Sequence, residues 1–213
     1  MTDAYEPKLV TFSLTVQEAA AITAALATAN PWAVENDDIK SVKKKIRDFH
    51  LERHENTCCY CRRDLEDGGY FMIDREHVLP KGKYKPYSFT IWNLSISCKR
   101  CNMELKGEDD EFVVNKTSIP TFQTSGNYLI VHPNFDEWET HLTREMQQLN
   151  KAVLVKFTVR DSSQKGRYTY EFFRLQAMEK DSFDRAQGIN RKAMESQSEF
   201  VLEARSIARE TGQ

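Results

Sequence analysis

Two groups of residues in this chain have the types and spacing for chemistry. Cys58 and Cys61 form one CxxC pair and Cys98 and Cys101 a second, with 36 residues between them. Two such knuckles can close a tetrahedral shell of four thiolates round zinc, leaving no position open, so the metal would be structural. Buried free thiols are the plainer reading, but two-residue spacing seldom arises twice by chance, and the pattern predicts a zinc site of four cysteines. Cys59 cannot share that geometry and is expected to be an inert, half-buried thiol. Between the pairs lies "REHVLP", where Glu76 adjoins His77 and Pro80 follows three residues on. A neutral imidazole can take a proton from water near pH 7. Lys81, Lys83 and Lys85 come next, on a loop suited to phosphates or simply to solvent. Alone, His77 would more often be a packed or exposed ring; its place between two knuckles argues for a site.

The totals bound what such a site can serve. A chain of 213 residues with 40% apolar and 29% charged residues is that of an ordinary globular protein, not a disordered one. The formal net charge of −2 rules out a polycation that clings to nucleic acid as a whole. Charge is uneven, though: residues 75 to 106 carry seven Lys/Arg against Glu76 and Glu104, and the acidic run "EDDE" follows. The chain has neither a long apolar span nor an apolar, basic leader at its start, so a cytoplasmic protein without a membrane segment is expected.

The elements that must position these residues are legible in part. "TVQE" reads as a capping box at Thr15 and Glu18 ahead of an alanine-rich helix that Asn30 and Pro31 end. A second helix is expected from Asp37 or Asp38, with Ile39, Val42, Ile46 and Phe49 on one face. Residues 55 to 107 read as short strands and loops, then a short helix from about Lys99. Further on, "NYLIVHP" suggests a strand and "NFDEWETHL" a helix capped by Asn134. "VLVKFTV" and "RYTYEFF" alternate at period two around "DSSQKG", which suggests a hairpin with Gly166 in its loop. A long helix is expected from about Ser182, with Phe183, Ala186, Ile189, Ala193, Phe200, Ala204 and Ile207 at helical spacing. His50 and His54 are expected at the surface, His132 and His141 in packing or capping roles, and Trp92 in the core.

Read together, CxxC, "EHVLP", "NL", "CxxCN" and "KG" resemble, in this order, the HNH nucleases with a ββα-metal core braced by zinc knuckles. The resemblance covers about residues 50 to 107. It implies that His77 is the general base, that Glu76 and Asn102 ligate a catalytic metal, and that Asn93 pins the loop. Glutamate stands here where many members have aspartate, and asparagine where the name-giving members have a final histidine. Oxygen ligands favour Mg²⁺ or Mn²⁺ and the thiolates favour Zn²⁺, so one small domain could hold both. Lys81, Lys83, Lys85, Arg100 and Lys106 are the candidate nucleic-acid contacts, Lys106 from its place in the "KG" motif.

The expectation is therefore an α+β protein: an N-terminal helical segment (1–49), an HNH core (50–115), and a C-terminal extension of hairpin plus long helix (116–213). The extension looks similar to those of HNH subunits from bacterial anti-phage systems, of the Septu type and related retron modules. That likeness implies a docking or self-association surface and an ATPase partner. The expected activity is metal-dependent hydrolysis of phosphodiester bonds, with DNA the family's usual substrate. Two alternatives stay open: a zinc-supported nucleic-acid-binding module without hydrolysis, and an RNA-directed toxin nuclease.

Overall fold

The computed structural model describes residues 3–66, 72–117, 120–150, 152–181 and 206. The chain divides into two units: residues 1–110 with 132–136, and residues 111–131 with 137–213. The long C-terminal helix expected from Ser182 lies outside the described residues.

In the first unit, α1 (Val16–Leu26) starts at Thr15 with the full capping box: Glu18 N donates to Thr15 Oγ1, and Thr15 N donates to Glu18 Oε2. Two of the helix's orphan amides are thereby satisfied. The Glu18 carboxylate also accepts from Ser41 and Lys45 of the next helix, tying the two together. That helix, α2 (Asp37–Arg53), is capped by Asn36, and Asp37 and Asp38 complement the helix dipole in its first turn. Its stripe of Ile39, Val42 and Ile46 is sealed against Ala25, Phe89 and Leu94, each large aliphatic contributing about 1.5–3 kcal/mol by burial.

Strand β1 (Ile73–His77) pairs antiparallel with β2 (Leu94–Cys98), and a π-helical turn, Arg100–Lys106, follows directly. The register sets Asp74 opposite Ser97 and Glu76 opposite Ser95. Because side chains alternate along a strand, these four share one face, while Arg75, His77, Leu94 and Ile96 belong to the other.

The second unit holds a sheet in the order β3 (Leu142–Leu149), β4 (Ala152–Val159), β5 (Lys180–Asp181), and a helix α3 (Gln164–Phe172) capped by Ser163. The hairpin expectation is corrected here. "VLVKFTV" pairs with the preceding "LTREMQQL", and "RYTYEFF" is helical. Gly166 lies in the first turn of α3, where a Cβ would collide with the His141 carbonyl, so close approach rather than turn geometry calls for glycine. "NYLIVHP" forms only an isolated bridge, Val113 to Tyr128, and "NFDEWETHL" supplies only a single 3₁₀ turn, Trp138–Thr140. Among the described residues the architecture is α+β with two small sheets. Among the described residues no helix is long and apolar enough to cross a membrane.

Candidate functional site

The first knuckle is a tight turn in which Arg62 N donates to the Cys58 carbonyl and Cys58 N to the Arg63 carbonyl, both at 2.8 Å. Cys98 closes β2 and Cys101 lies in the first turn of the π-helix, so strand pairing brings the second pair to the first. All four cysteines are buried and their sulfurs lie within 4.8 Å of one another, with Cys61 and Cys98 3.8 Å apart. A tetrahedron with Zn–S bonds of about 2.3 Å has edges of about 3.8 Å, so the cage has the dimensions that zinc needs. Four packed thiols resist ionising together: the sulfurs of Cys58, Cys61 and Cys98, and then burial, push the Cys101 thiol well above its ordinary value. A cation removes that opposition. Cys59 lies outside the cage and is fully rather than half buried, and burial raises its thiol too.

Beside the cage, the Glu76 carboxylate is sealed from solvent. Its Oε1 accepts from Tyr60 Oη at 3.0 Å and faces Lys106 Nζ at 3.0 Å. Its Oε2 is buried and has no hydrogen-bond partner among the described residues. One oxygen anchored and one left over is a donor set that fits a hard cation. Burial raises the Glu76 pKa, while Lys106 and Tyr60 oppose the rise. Asn102, half-buried on the π-helix, donates from Nδ2 to Asp74 Oδ2 at 3.4 Å. Asp74 is not among the residues singled out from the sequence. Its signal is nonetheless there, since it stands two positions before Glu76 and therefore on the same face of β1.

His77 belongs to the opposite face. Its ring lies edge-on to Trp32, with centroids 4.4 Å apart at 90°, and Nε2 lies 3.0 Å from the Ser88 carbonyl. A carbonyl can only accept, so Nε2 carries the proton and the neutral ring keeps its lone pair on Nδ1. Burial, then the charge of Lys81, lowers the His77 pKa to about 3, against a smaller upward pull from Ser88. The ring is neutral at pH 7 and 5% exposed. Asn93, fully buried, fixes the intervening loop: Oδ1 accepts from Leu79 N at 2.7 Å, and Nδ2 donates to the carbonyls of Leu79 and Tyr87, each at 3.2 Å.

Glu76, Lys106, Asp74 and Asn102 thus gather on one side of β1 and His77 on the other. Lys106 spans them, its Nζ donating to the His77 carbonyl at 2.8 Å. This differs from the expectation that Lys106 meets phosphate: its side chain is 1% exposed and already paired. Lys81, Lys83 and Lys85 are exposed, but Lys83 is paired with Asp110 of the acidic run at 2.7 Å. Arg100 is half-buried at the start of the π-helix.

His50 and His54 are not surface residues. Both are buried because α2 runs under β2 as far as the first knuckle, and His54 Nε2 lies 3.0 Å from Ser95 Oγ. Trp92 is half-buried and lies against Tyr87 and Phe135.

Over 82 residues, 37% of this chain, the sequence is 38% identical to a Septu protein PtuB from Bacillus thuringiensis. The matched stretch spans 30% of that relative. No family model matches the chain, and no solved structure matches it.

Proposed function

We propose that this chain is a metal-dependent endonuclease of the HNH type, hydrolysing phosphodiester bonds of nucleic acid, DNA foremost, as the effector of an anti-phage defence system with an ATPase partner. One observation carries the reading. At the end of β1 stand a neutral imidazole with its Nε2–H on the Ser88 carbonyl and, one residue before it on the opposite face of the strand, a carboxylate with one oxygen anchored and the other without a hydrogen-bond partner among the described residues. The likeness to a Septu protein over 37% of this chain supports the defence role.

In this reading His77 Nδ1 accepts a proton from water, the oxygen attacks phosphorus, and the bond to the 3′ oxygen breaks; that oxygen takes a proton from solvent, leaving 5′-phosphate and 3′-hydroxyl ends. Glu76 and Asn102 would hold Mg²⁺ or Mn²⁺, which when bound supplies charge neutralisation at the phosphoryl group and the departing oxygen. Burial, and after it the charge of Lys81, depresses the basicity of His77 in the free protein, and a phosphate drawn to Lys81 would offset the Lys81 part of that lowering. Tyr60 and Lys106 hold Glu76 in place. The four cysteines would hold zinc as a brace.

The test is cleavage of plasmid, single-stranded DNA and total RNA by the zinc-loaded full chain with Mg²⁺ or Mn²⁺, alone and with its co-purifying ATPase. Wild-type cleavage that falls by about 10²–10⁴ in His77→Ala is the expected result. Cleavage of RNA alone would make this an RNA-directed nuclease. Nucleic-acid binding without cleavage, in the folded protein with its partner, would leave a binding module.

A further inference from the structure

The segment His132–Asp136 belongs to the first unit although the residues before and after it belong to the second. It carries no nuclease motif, and its chemistry is all in how it is held. His132 N donates to Asp136 Oδ2 at 2.7 Å, Asp136 N donates to the His132 carbonyl at 3.0 Å, and Asn134 N donates to His132 Nδ1 at 3.1 Å. The Phe135 ring stacks on that of His132 with centroids 4.1 Å apart. The five-residue turn is thus closed by its own hydrogen bonds and by one ring stack.

What it presents is the Asn134 carboxamide, 3% exposed. Nδ2 donates to the Trp92 carbonyl at 2.9 Å and to the Leu94 carbonyl at 2.7 Å. These two carbonyls flank Asn93. Leu94 is also the residue that faces His77 across the β1–β2 ladder. From Asn93 the connection continues through Leu79 and Tyr87 to the loop whose Ser88 carbonyl holds His77 Nε2. One carboxamide therefore fixes the backbone on both sides of the residue that sets the loop.

We propose that Asn134 is a positioning residue for His77: through the carbonyls of Trp92 and Leu94 it sets Asn93, and Asn93 sets the Ser88 carbonyl that selects the ring's tautomer. The inference rests on the nuclease reading for its consequence in catalysis, but not for its consequence in the ring. Asn134→Asp is nearly isosteric and removes both donors, leaving a carboxylate against two carbonyls. Asn134→Ser is milder and keeps one donor on a shorter arm.

The experiment records ring nitrogen resonances of the zinc-loaded full chain labelled with ¹⁵N-histidine, with His77 assigned from His77→Ala. Cleavage is measured alongside. Wild type should show His77 as a single Nε2–H tautomer with a protected ring proton. Asn134→Asp should show mixed tautomers and fast ring-proton exchange, and kcat lower by about tenfold or more with KM little changed; Asn134→Ser should fall between. Val42→Ala, a cavity under α2, controls for destabilisation and should leave the His77 resonance in place. An unchanged tautomer and ring-proton exchange in folded Asn134→Asp and Asn134→Ser overturns the inference. If wild type cleaves and both variants cleave equally, the nuclease reading stands and the inference falls. If nothing cleaves but the tautomer shifts as described, the positioning stands and the nuclease reading falls.

Discussion

Lys106 Nζ lies 3.0 Å from Glu76 Oε1, with the two side chains 1% and 0% exposed. A buried pair of this kind adds little net stability over an apolar pair, but breaking it strands a charge. Lys106→Met should therefore lower unfolding free energy by about 3–5 kcal/mol. The double variant Lys106→Met with Glu76→Gln should recover much of the loss, because no charge is left to strand. Urea unfolding of the four proteins gives the coupling, and strictly additive losses would rule it out.

The cysteine cage makes a second prediction. The four sulfurs are placed to hold one ion, so removing one of them would weaken metal binding and with it the link between the first knuckle, the end of β2 and the π-helix. Cys98→Ser should bind less than one zinc per chain and lose cooperative melting of the first unit, whereas Cys59→Ser should keep zinc. Metal content after dialysis, read beside the melting curve, decides it. Normal zinc and melting in Cys98→Ser would show that the four sulfurs are not the ligand set.

Acid should destabilise the first unit through His50. Burial, and then the Arg53 charge, lower its pKa from 6.5 to about 3, against smaller upward pulls from the Ile91 backbone and Asp3. The unfolded chain therefore binds a proton between those values that the folded chain refuses. Stability is full above 6.5 and falls as pH drops towards 3, by about 1.4 kcal/mol for each unit of the gap. His50→Phe should lessen the slope of unfolding free energy against pH in that window, the remainder coming from His54 and His77, whose pKa values burial also lowers. An unaltered slope would mean that His50 takes no part.

The lysine loop should reveal itself through salt. In a His77→Ala background, Lys81→Ala and Lys85→Ala should each reduce the slope of log affinity against log salt by about 1. Lys83→Ala should act less, because that ammonium already neutralises Asp110. Equal effects at all three positions would mean that the Asp110 pair opens when nucleic acid binds.

Legibility follows sequence distance. The capping box at Thr15, the start of α2 at Asp37 and the two knuckles depend on near neighbours or on fixed spacing, and each leaves a local mark, whereas the role of Asn93 is legible only through the family resemblance. "RYTYEFF" fits two periods at once. Tyr168 and Phe172 are four apart, so a helical face is as available as an alternating one, and the Ser163 cap together with the His141 contact at Gly166 favours the helix. "TREMQQ" hides a strand because its side chains are mostly polar and exposed, with no apolar alternation to read. Lys106 and Asn134 mislead for the same reason: a lysine in a basic stretch reads as a phosphate contact, and an asparagine before an acidic stretch as a helix cap, until a remote acceptor is known. Those acceptors are Glu76 and the carbonyls of Trp92 and Leu94, 40 or more residues away in the second case.

The out-of-order position of His132–Asp136 bears on how the protein is made. Translation releases the knuckles, both strands and His77 well before residue 134, and domains begin folding from the N-terminal side during synthesis. Until that asparagine leaves the ribosome, the carbonyls either side of Asn93 lack the donor that it supplies in the folded chain. A cell producing this chain holds an incomplete first unit during that interval, and the last clamp closes only once part of the following unit exists.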